Sequence, residues 1–171
     1  MKPTIQKALN KQINEEMESS YLYLSMAAYF EDQNLAGMAQ WMKAQSIEEV
    51  NHAMQLYTYI VDRGGKVELQ AIKAPQLSWK SPLDAFNGTY THEKHITKCI
   101  HDLMDLATKE KDHASTAMLQ WFVTEQVEEE ASTSEIVEKL KLIDSAPGGI
   151  YMIDKELASR PMPQLQLAPA E

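Results

Sequence analysis

Six polar side chains recur at matching intervals in two stretches of the chain. They are Glu16, Glu49, His52, Glu93, Gln126 and Glu129. Within each stretch the first two are 33 residues apart and the third follows three residues later. The second stretch repeats the first at an offset of 77 residues, which indicates an internal duplication. The chain is therefore predicted to contain two copies of one helical hairpin.

Inward-facing residues are spaced alternately by four and three over four long segments, which predicts four amphipathic helices of a bundle. The predicted inward stripes are Leu9, Ile13, Glu16, Ser20, Tyr23, Ala27 and Phe30 on the first helix, Met38, Met42, Gln45, Glu49, His52, Leu56 and Tyr59 on the second, Phe86, Tyr90, Glu93, Thr97, Ile100, Met104 and Ala107 on the third, and Leu119, Phe122, Gln126, Glu129, Thr133, Ile136, Leu140 and Ile143 on the fourth. All six repeated polar residues lie on these stripes, where apolar residues are expected.

The connections between the helices predict the topology. The breaks at 32–34 and 109–112 are short, so each hairpin is expected to be antiparallel. Eighteen residues from Gly64 to Ser81 separate the hairpins, which is long enough to run the length of the bundle. We expect an all-α, ferritin-like four-helix bundle with one long crossover loop and a short fifth helix over residues 150–159. Residues 1–160 would form one domain, followed by a Pro-rich tail, 161–171.

Net charge, cysteine content and hydropathy argue against several classes of function. A formal net charge of −9 argues against a partner bound through nucleic-acid phosphates. Cys99 is the only cysteine, so the chain has neither an intrachain disulfide nor a CxxC motif. The amino terminus lacks the apolar segment of a secretory signal, and no run is long and apolar enough to cross a membrane. We expect a cytoplasmic protein.

The repeated polar residues lie equidistant from the two predicted turns, so they should meet at one level in the bundle. Four buried carboxylates would repel one another, and two divalent cations would balance their four charges. Oxygen ligands with a single imidazole favour iron or manganese over zinc, and they favour Fe(III) among the iron ions. The alternative is a hydrogen-bonded polar layer without metal.

Four segments, NEEMESSYLYL, EEVNHAMQLYTYI, YTHEKHITK and LQWFVTEQVEEE, resemble non-haem bacterial ferritins, and the likeness covers about residues 1–160. The resemblance implies a subunit that oxidises Fe(II) with dioxygen or peroxide and stores Fe(III) mineral in a shell of 24 subunits. The fifth helix, whose apolar residues are Ile150, Tyr151, Met152, Ile153 and Leu157, would line the four-fold axes.

The same resemblance assigns residues to iron. Glu16, Glu49 and His52 would hold the first ion, and a bridging Glu49 would hold the second with Glu93 and Glu129.

Five further residues are implied around this centre. Gln126 would orient dioxygen or a bridging ligand, and Tyr23 corresponds to the tyrosine beside the ferroxidase centre, although a core tyrosine is the alternative. Glu48, Glu125 and Glu128 would form a third iron site, although a solvated face is the alternative.

The chain also departs from related families. It has Val50 where bacterioferritin has its haem-ligating methionine, and Gln126–Glu129 lacks that family's second Glu-x-x-His, so no haem is expected. Without a CxxC motif it lacks the rubredoxin-like tail of rubrerythrin. The alternative function is a small non-storage di-iron oxidase or peroxidase of the rubrerythrin-like type, and the third is an inert bundle.

The remaining candidates are interpreted as structural. Trp121 could donate an electron to the centre, but packing is the simpler expectation. Cys99 is expected to be a small packing residue. The four other histidines are expected to face solvent; they are His92, His95, His101 and His113.

Overall fold

The computed structural model describes residues 1–143, 146 and 148–166, and over these residues it contains helices and no strand. The helices are α1 (Pro3–Asp32), α2 (Ala36–Asp62), α3 (Pro82–Lys109), α4 (His113–Leu142) and α5 (Gly149–Leu157). The predicted all-α bundle with a short fifth helix is confirmed. Within the described residues, every helix is too short or too polar to cross a membrane.

The two hairpin turns have the same backbone geometry. Asn34 and Lys111, which are 77 residues apart, both adopt left-handed conformations, with φ of 57° and 55°. The amide that follows each of them bonds to the carbonyl five residues back, at 3.0 and 2.9 Å. A left-handed lysine is uncommon, so its presence at the matching position shows that the duplication extends from the polar residues to the turns.

The crossover loop runs along α1, in the direction opposite to that of α2. Asn10 near the start of α1 donates to the Lys66 carbonyl at 2.9 Å, and Ser25 donates to the Gln76 carbonyl at 2.6 Å. These two contacts are about 22 Å apart along α1 at 1.5 Å per residue. The loop therefore returns the chain to the level of the first turn, where Ser81 caps α3 by accepting from the Asp84 amide at 3.1 Å. Helix α3 thus begins parallel to α2, as predicted.

Two apolar clusters fill the bundle and leave a polar layer between them. One lies toward the first turn and includes Tyr23, Phe30 and Phe86. The other lies toward the opposite end and includes Leu9 and Leu56. The repeated polar residues lie between the two clusters, so they are shielded from solvent by apolar side chains on both sides.

The inward face of α3 differs from the predicted stripe at three positions. Tyr90, Thr97 and Met104 are half-buried, whereas the residue before each of them is buried. The reason is the way in which α3 contacts its neighbours: Thr89 Oγ1 lies 3.2 Å from Met26 Sδ on α1, whereas the Thr97 hydroxyl bonds to α4. Helix α3 is therefore rotated toward α1 relative to the prediction.

Two other stripe positions, both at helix ends, are half-buried rather than buried. Tyr59 turns its hydroxyl toward Ser115 Oγ, 2.9 Å away, and Ile143 caps α4. The ends of the bundle are less enclosed than its middle, so the helical pattern overestimates burial there.

Helix α5 packs closely against the start of α2. A Cβ on Gly37 would lie 1.7 Å from the Asp154 carbonyl oxygen, so only glycine permits this approach. Ile153 and Leu157 are buried against the bundle, whereas Tyr151 and Met152 are 69% and 72% exposed. The apolar surface expected on the fifth helix is thus divided between the bundle's own core and an exposed face.

Candidate metal centre

The six repeated polar residues meet in the middle of the bundle. Each is at most 5% exposed: Glu16, Glu49, His52, Glu93, Gln126 and Glu129. Because all four long helices contribute to the layer, side chains that are remote in sequence come together at one height, as the equal distances from the turns predict.

Helices α1 and α2 supply the half of the site in which carboxylate oxygens lack hydrogen-bond partners, called the open half below. One potential ligand atom from each of Glu16, Glu49 and His52 lies within 4.8 Å of the other two. The distance from His52 Nδ1 to Glu49 Oε2 is 3.3 Å. Glu16 Oε2 and Glu49 Oε2 are buried without a hydrogen-bond partner. Leaving a buried acceptor unpaired is costly, and a cation placed between these atoms and the imidazole would satisfy both oxygens.

Helices α3 and α4 supply a half in which the carboxylates are hydrogen-bonded. Glu93 accepts from the Tyr23 hydroxyl and from Gln126 Nε2, the latter at 3.2 Å. Glu129 Oε2 accepts from Gln45 Nε2 at 2.7 Å. A second cation would have to replace or share these hydrogen bonds, whereas the first would not.

The acids of the layer favour their neutral forms when no cation is present. Burial, reinforced by the charge of Glu49, raises the pKa of Glu16 to about 8. Burial, reinforced by Glu93, raises the pKa of Glu129 to about 8. Burial also raises the pKa of Glu93 to about 7 and that of Glu49 well above its usual value. Cations are the partners that would let these groups ionise together.

A second group of acids lines an open cleft of about 300 Å³ beside the layer. The cleft is lined by Trp41, Glu48, Glu125, Glu128, Glu129, Ser132 and Arg160. Ligand atoms of His52, Glu125 and Glu129 lie within 4.8 Å of one another. Of the three acids predicted for a third site, Glu125 therefore converges with the buried layer, Glu128 stays exposed, and Glu48 is hydrogen-bonded to Arg160.

Sequence reasoning missed three residues that contact these acids. Gln12 donates to Glu16 Oε1 at 2.9 Å, and Gln45 donates to Glu129. A local signal for both glutamines exists, because each lies four residues before a repeated glutamate and thus on the same helix face. Arg160 has no such signal, since it reaches the cleft from beyond α5.

Tyr23 and Trp121 occupy different surroundings. Tyr23 is fully buried, and its pKa is raised well above the ordinary value by burial and then by Glu93. Trp121 is 42% exposed, and its ring meets that of His52 edge-on at 5.4 Å. Tyr23 is thus hydrogen-bonded to Glu93, a candidate ligand, whereas Trp121 packs on the solvent side of His52, another candidate ligand.

The prediction that four histidines face solvent is wrong for His92. His95, His101 and His113 are exposed, but His92 is half-buried, with Nε2 2.7 Å from Ser19 Oγ. Burial, followed by the nearby His95, lowers its pKa to about 4. Helix α3 packs on α1 closely enough to enclose a side chain that the predicted stripe leaves outside.

Cys99, within α3, is half-buried and lies outside the core. Its Sγ is 3.6 Å from His95 Nε2, which in turn is 3.0 Å from Glu15 Oε2. The thiol therefore faces polar neighbours, and the predicted packing role describes only part of its surroundings.

The chain is similar over most of its length to known ferritins. A model of the ferritin-like domain family matches residues 6–143. Bacterial non-heme ferritins from Bacteroides fragilis (strain 638R) and Campylobacter jejuni are 45% and 43% identical; the matches cover 91% and 87% of this chain and 97% and 89% of those proteins.

The chain is also similar to solved structures of ferritins. An open-pore ferritin from the hyperthermophilic archaeon Archaeoglobus fulgidus superposes with a TM-score of 0.93 at 48% identity, over 94% of this chain and 99% of that one. A closed form of Archaeoglobus fulgidus ferritin, engineered by mutagenesis, gives a TM-score of 0.94 at 47% identity, over 95% of this chain and 99% of that chain. Because the family model and these relatives match most of the chain, and its helices, crossover and buried acids agree with them, the chain belongs to the ferritin family.

Proposed function

We propose that this chain is the subunit of an iron-storage ferritin that oxidises Fe(II) in the buried layer and stores the Fe(III) product. One observation carries the proposal: two buried carboxylate oxygens, Glu16 Oε2 and Glu49 Oε2, lack hydrogen-bond partners beside the His52 imidazole. The ferritin names of the similar bacterial proteins support iron as the metal.

Five residues would hold two ferrous ions. Glu16, Glu49 and His52 bind the first ion, and Glu49 bridges to a second ion held by Glu93 and Glu129. Two divalent ions bring four positive charges to four carboxylates, so binding converts a protonated, neutral layer into an ionised and still neutral one. This neutrality allows the charges to remain in an apolar interior.

Gln126 and Tyr23 position the second half of the site. Both donate to Glu93, so they hold its carboxylate in place while the first ion binds. By the resemblance to bacterial ferritins, Gln126 would also orient dioxygen or a bridging ligand. We assign Tyr23 an orienting role and Trp121 a packing role.

The reaction requires two electrons, and each ferrous ion supplies one. Two Fe(II) become two Fe(III), and dioxygen takes up the two electrons and two protons to give hydrogen peroxide. Peroxide can serve as a further oxidant in the same site. Carboxylates stabilise Fe(III) more than Fe(II) because it is the harder ion, which favours the direction of electron transfer.

Storage would follow from assembly. We propose a cytoplasmic homo-oligomeric shell of 24 subunits without haem, in which residues 1–160 are the di-iron domain. The exposed face of α5, with Tyr151 and Met152, supports contact between subunits, because apolar side chains there have no cover within the described part of the subunit. Glu48, Glu125 and Glu128 would take a third iron ion in the cleft beside the centre.

The experiment that tests this function combines kinetics with sizing. Fe(II) is added to metal-free protein under air, first at two ions per subunit and then in large excess over the binding sites; oxidation is followed by absorbance, and native mass and the iron retained beyond those sites are then measured. We expect rapid oxidation by a large assembly that retains Fe(III) in soluble form. Rapid oxidation by a species of only a few subunits without retained iron would instead favour the small oxidase or peroxidase, and no oxidation would leave the inert bundle.

A further inference from the structure

The segment after α5 returns along α2, and its described residues reach the level of the metal layer. Asp154 in α5 accepts from the Met38 amide at 2.9 Å, which fixes α5 to the start of α2. Farther along α2, Asn51 bonds the tail at two points: it donates to the Gln164 carbonyl at 3.0 Å and accepts from the Gln166 amide at 2.7 Å. Arg160 lies between these two attachments, so the backbone on both sides of it is held against α2.

The Arg160 guanidinium is directed into the acidic cleft. It lies over the Trp41 ring at 4.4 Å, and Nη1 donates to the Trp41 carbonyl at 3.3 Å and to Gln45 Oε1 at 2.8 Å. Nη2 donates to Glu48 Oε2. The Arg160 side chain is 19% exposed, although it belongs to a segment without regular structure. Such a set of contacts holds a positive charge at one place in the cleft.

That place is beside four acids. Glu48, Glu125, Glu128 and Glu129 all line the cleft, and Arg160 is the only cationic residue among the residues that line it. The carboxylate to which Arg160 is hydrogen-bonded, Glu48, is also one of the ligands proposed for a third iron ion. The guanidinium and the ion therefore compete, because like charges close together in a partly buried site repel strongly.

Arg160 is also linked to the buried layer through one side chain. Its Nη1 binds the oxygen of the Gln45 amide, so the amide nitrogen must face Glu129, to which it donates at 2.7 Å. If the guanidinium leaves, the amide loses the partner that fixes its orientation. The cleft and the buried layer are thus connected by two hydrogen bonds in series.

We propose that Arg160 is a tethered counter-cation for the cleft: its guanidinium takes the place of a third iron ion, and a divalent ion enters by displacing it from Glu48. Arg160 therefore weakens binding at the third site relative to the two sites of the buried layer. It acts as a positioning residue for Glu129 through Gln45 and makes no direct contact with the buried pair of ions.

This proposal rests on the function proposed above, and its test uses Zn²⁺, which binds without being oxidised. Metal-free assembled protein is titrated calorimetrically, and Arg160→Gln is compared with the wild type. We expect the third, weak binding step per subunit to become about tenfold tighter in Arg160→Gln, because the competing charge is gone. The first step, at Glu16, Glu49 and His52, should change by less than about twofold. The second step, which uses Glu129, should change by more than the first and less than the third, because Gln45 loses the partner that orients its amide.

Two control variants separate competition from a general effect. Arg63→Gln removes one positive charge from a different ion pair, with Asp112 at 3.2 Å, and should leave all three steps unchanged. Arg160→Lys keeps the charge but cannot form the same set of hydrogen bonds, so its third step should lie between wild type and Arg160→Gln. A purely structural arginine would lower thermal stability in these variants without tightening any step.

The outcomes distinguish the two proposals. A third step in Arg160→Gln that is equal to or weaker than in the wild type overturns the role of Arg160. So does a protein that binds two ions in the buried layer but no third ion in either variant. A wild type that binds no ion in the buried layer overturns the proposed function itself.

If Arg160→Gln fails to fold, diffraction from zinc-soaked wild-type crystals tests the same proposal. Anomalous scattering should place an ion at Glu48 with the guanidinium moved away. An ion bound there while the Arg160–Glu48 hydrogen bond persists contradicts displacement.

Discussion

The two hairpins share the backbone geometry of their turns but hold their acids differently. In the α1–α2 hairpin, Glu16 and Glu49 each keep one buried oxygen without a hydrogen-bond partner. In the α3–α4 hairpin, both oxygens of Glu93 accept hydrogen bonds, from Tyr23 and Gln126. The duplication thus places polar groups at one level in both copies, and single residue differences decide which copy is open to a cation.

The amides around the site are also distributed unequally between the hairpins. Gln12 and Gln45 in the first hairpin each donate to a buried carboxylate. The positions 77 residues later are Thr89 and Phe122; Thr89 bonds to Ala85 and Met26 instead, and Phe122 has no polar atom to donate. An equal backbone therefore does not imply an equal site, because ligand affinity depends on whether neighbouring donors already occupy the oxygens.

The largest expected effect is from Glu49→Ala, because Glu49 is the residue that both proposed ions share. We expect Fe(II) oxidation to slow by about 100-fold or more, since removing a ligand costs at least as much as removing one of its supporting contacts. Stopped-flow absorbance at two ions per subunit measures the rate. Glu128→Ala is the comparison: it should change the number of ions processed far more than the initial rate. Equal and negligible effects of the two substitutions contradict the site.

The difference between the hairpins predicts two unequal binding steps. Glu16→Gln should remove the tighter step and Glu93→Gln the weaker one. The two steps should differ by about tenfold, because the second ion must replace or share two hydrogen bonds to Glu93, each of which contributes about 0.5–1.5 kcal/mol. Zinc titration calorimetry measures both steps. If Glu93→Gln removes the tighter step, the open half of the site has been assigned to the wrong hairpin.

A smaller effect is expected from Tyr23→Phe, which removes one donor to Glu93 and keeps the ring. Oxidation should slow by about tenfold with the number of bound ions unchanged, as is typical for the loss of a contact that orients a ligand. Trp121→Phe is the matched control on the solvent side of His52 and should change the rate by less than about twofold. A Trp121→Phe effect as large as that of Tyr23→Phe would indicate that Trp121 takes part in electron transfer.

The smallest effect concerns the stability of the metal-free protein. The pKa values of Glu16 and Glu129 are about 8 in the folded state against 4.5 ordinarily, so the folded state binds more protons than the unfolded state between these values. Stability should therefore fall as pH rises toward 8. His92 has a folded pKa of about 4 against 6.5, and it acts in the opposite direction below pH 6.5.

The suitable range for this measurement is therefore pH 6.5 to 8, where His92 contributes little. The melting temperature of metal-free protein should fall by several degrees across it. Glu16→Gln and Glu129→Gln should each reduce the slope, and saturating Zn²⁺ should reverse it, because metal binding releases the protons. A melting temperature that rises with pH in the wild type would mean that the acids of the layer are ionised without metal.

Much of the candidate site was predictable because its signals are local or periodic. The stripe on α1, from Leu9 to Phe30, is buried at each predicted position. On α3 the same rule failed at Tyr90, Thr97 and Met104. A helix can present two adjacent faces with similar periodicity, and the packing of α3 on α1 selected the one that the pattern did not.

The sequence alone determined the helices, the two turns and the level at which the acids meet, because each depends on spacing along the chain. The free carboxylate oxygens, the enclosure of His92 and the place of Arg160 among the acids of the cleft follow from the packing of the folded chain. These features depend on distances between side chains that are remote in sequence. The electrostatic interactions and hydrogen bonds that act at a metal centre fall off within a few ångströms, so spacing along the chain cannot specify them.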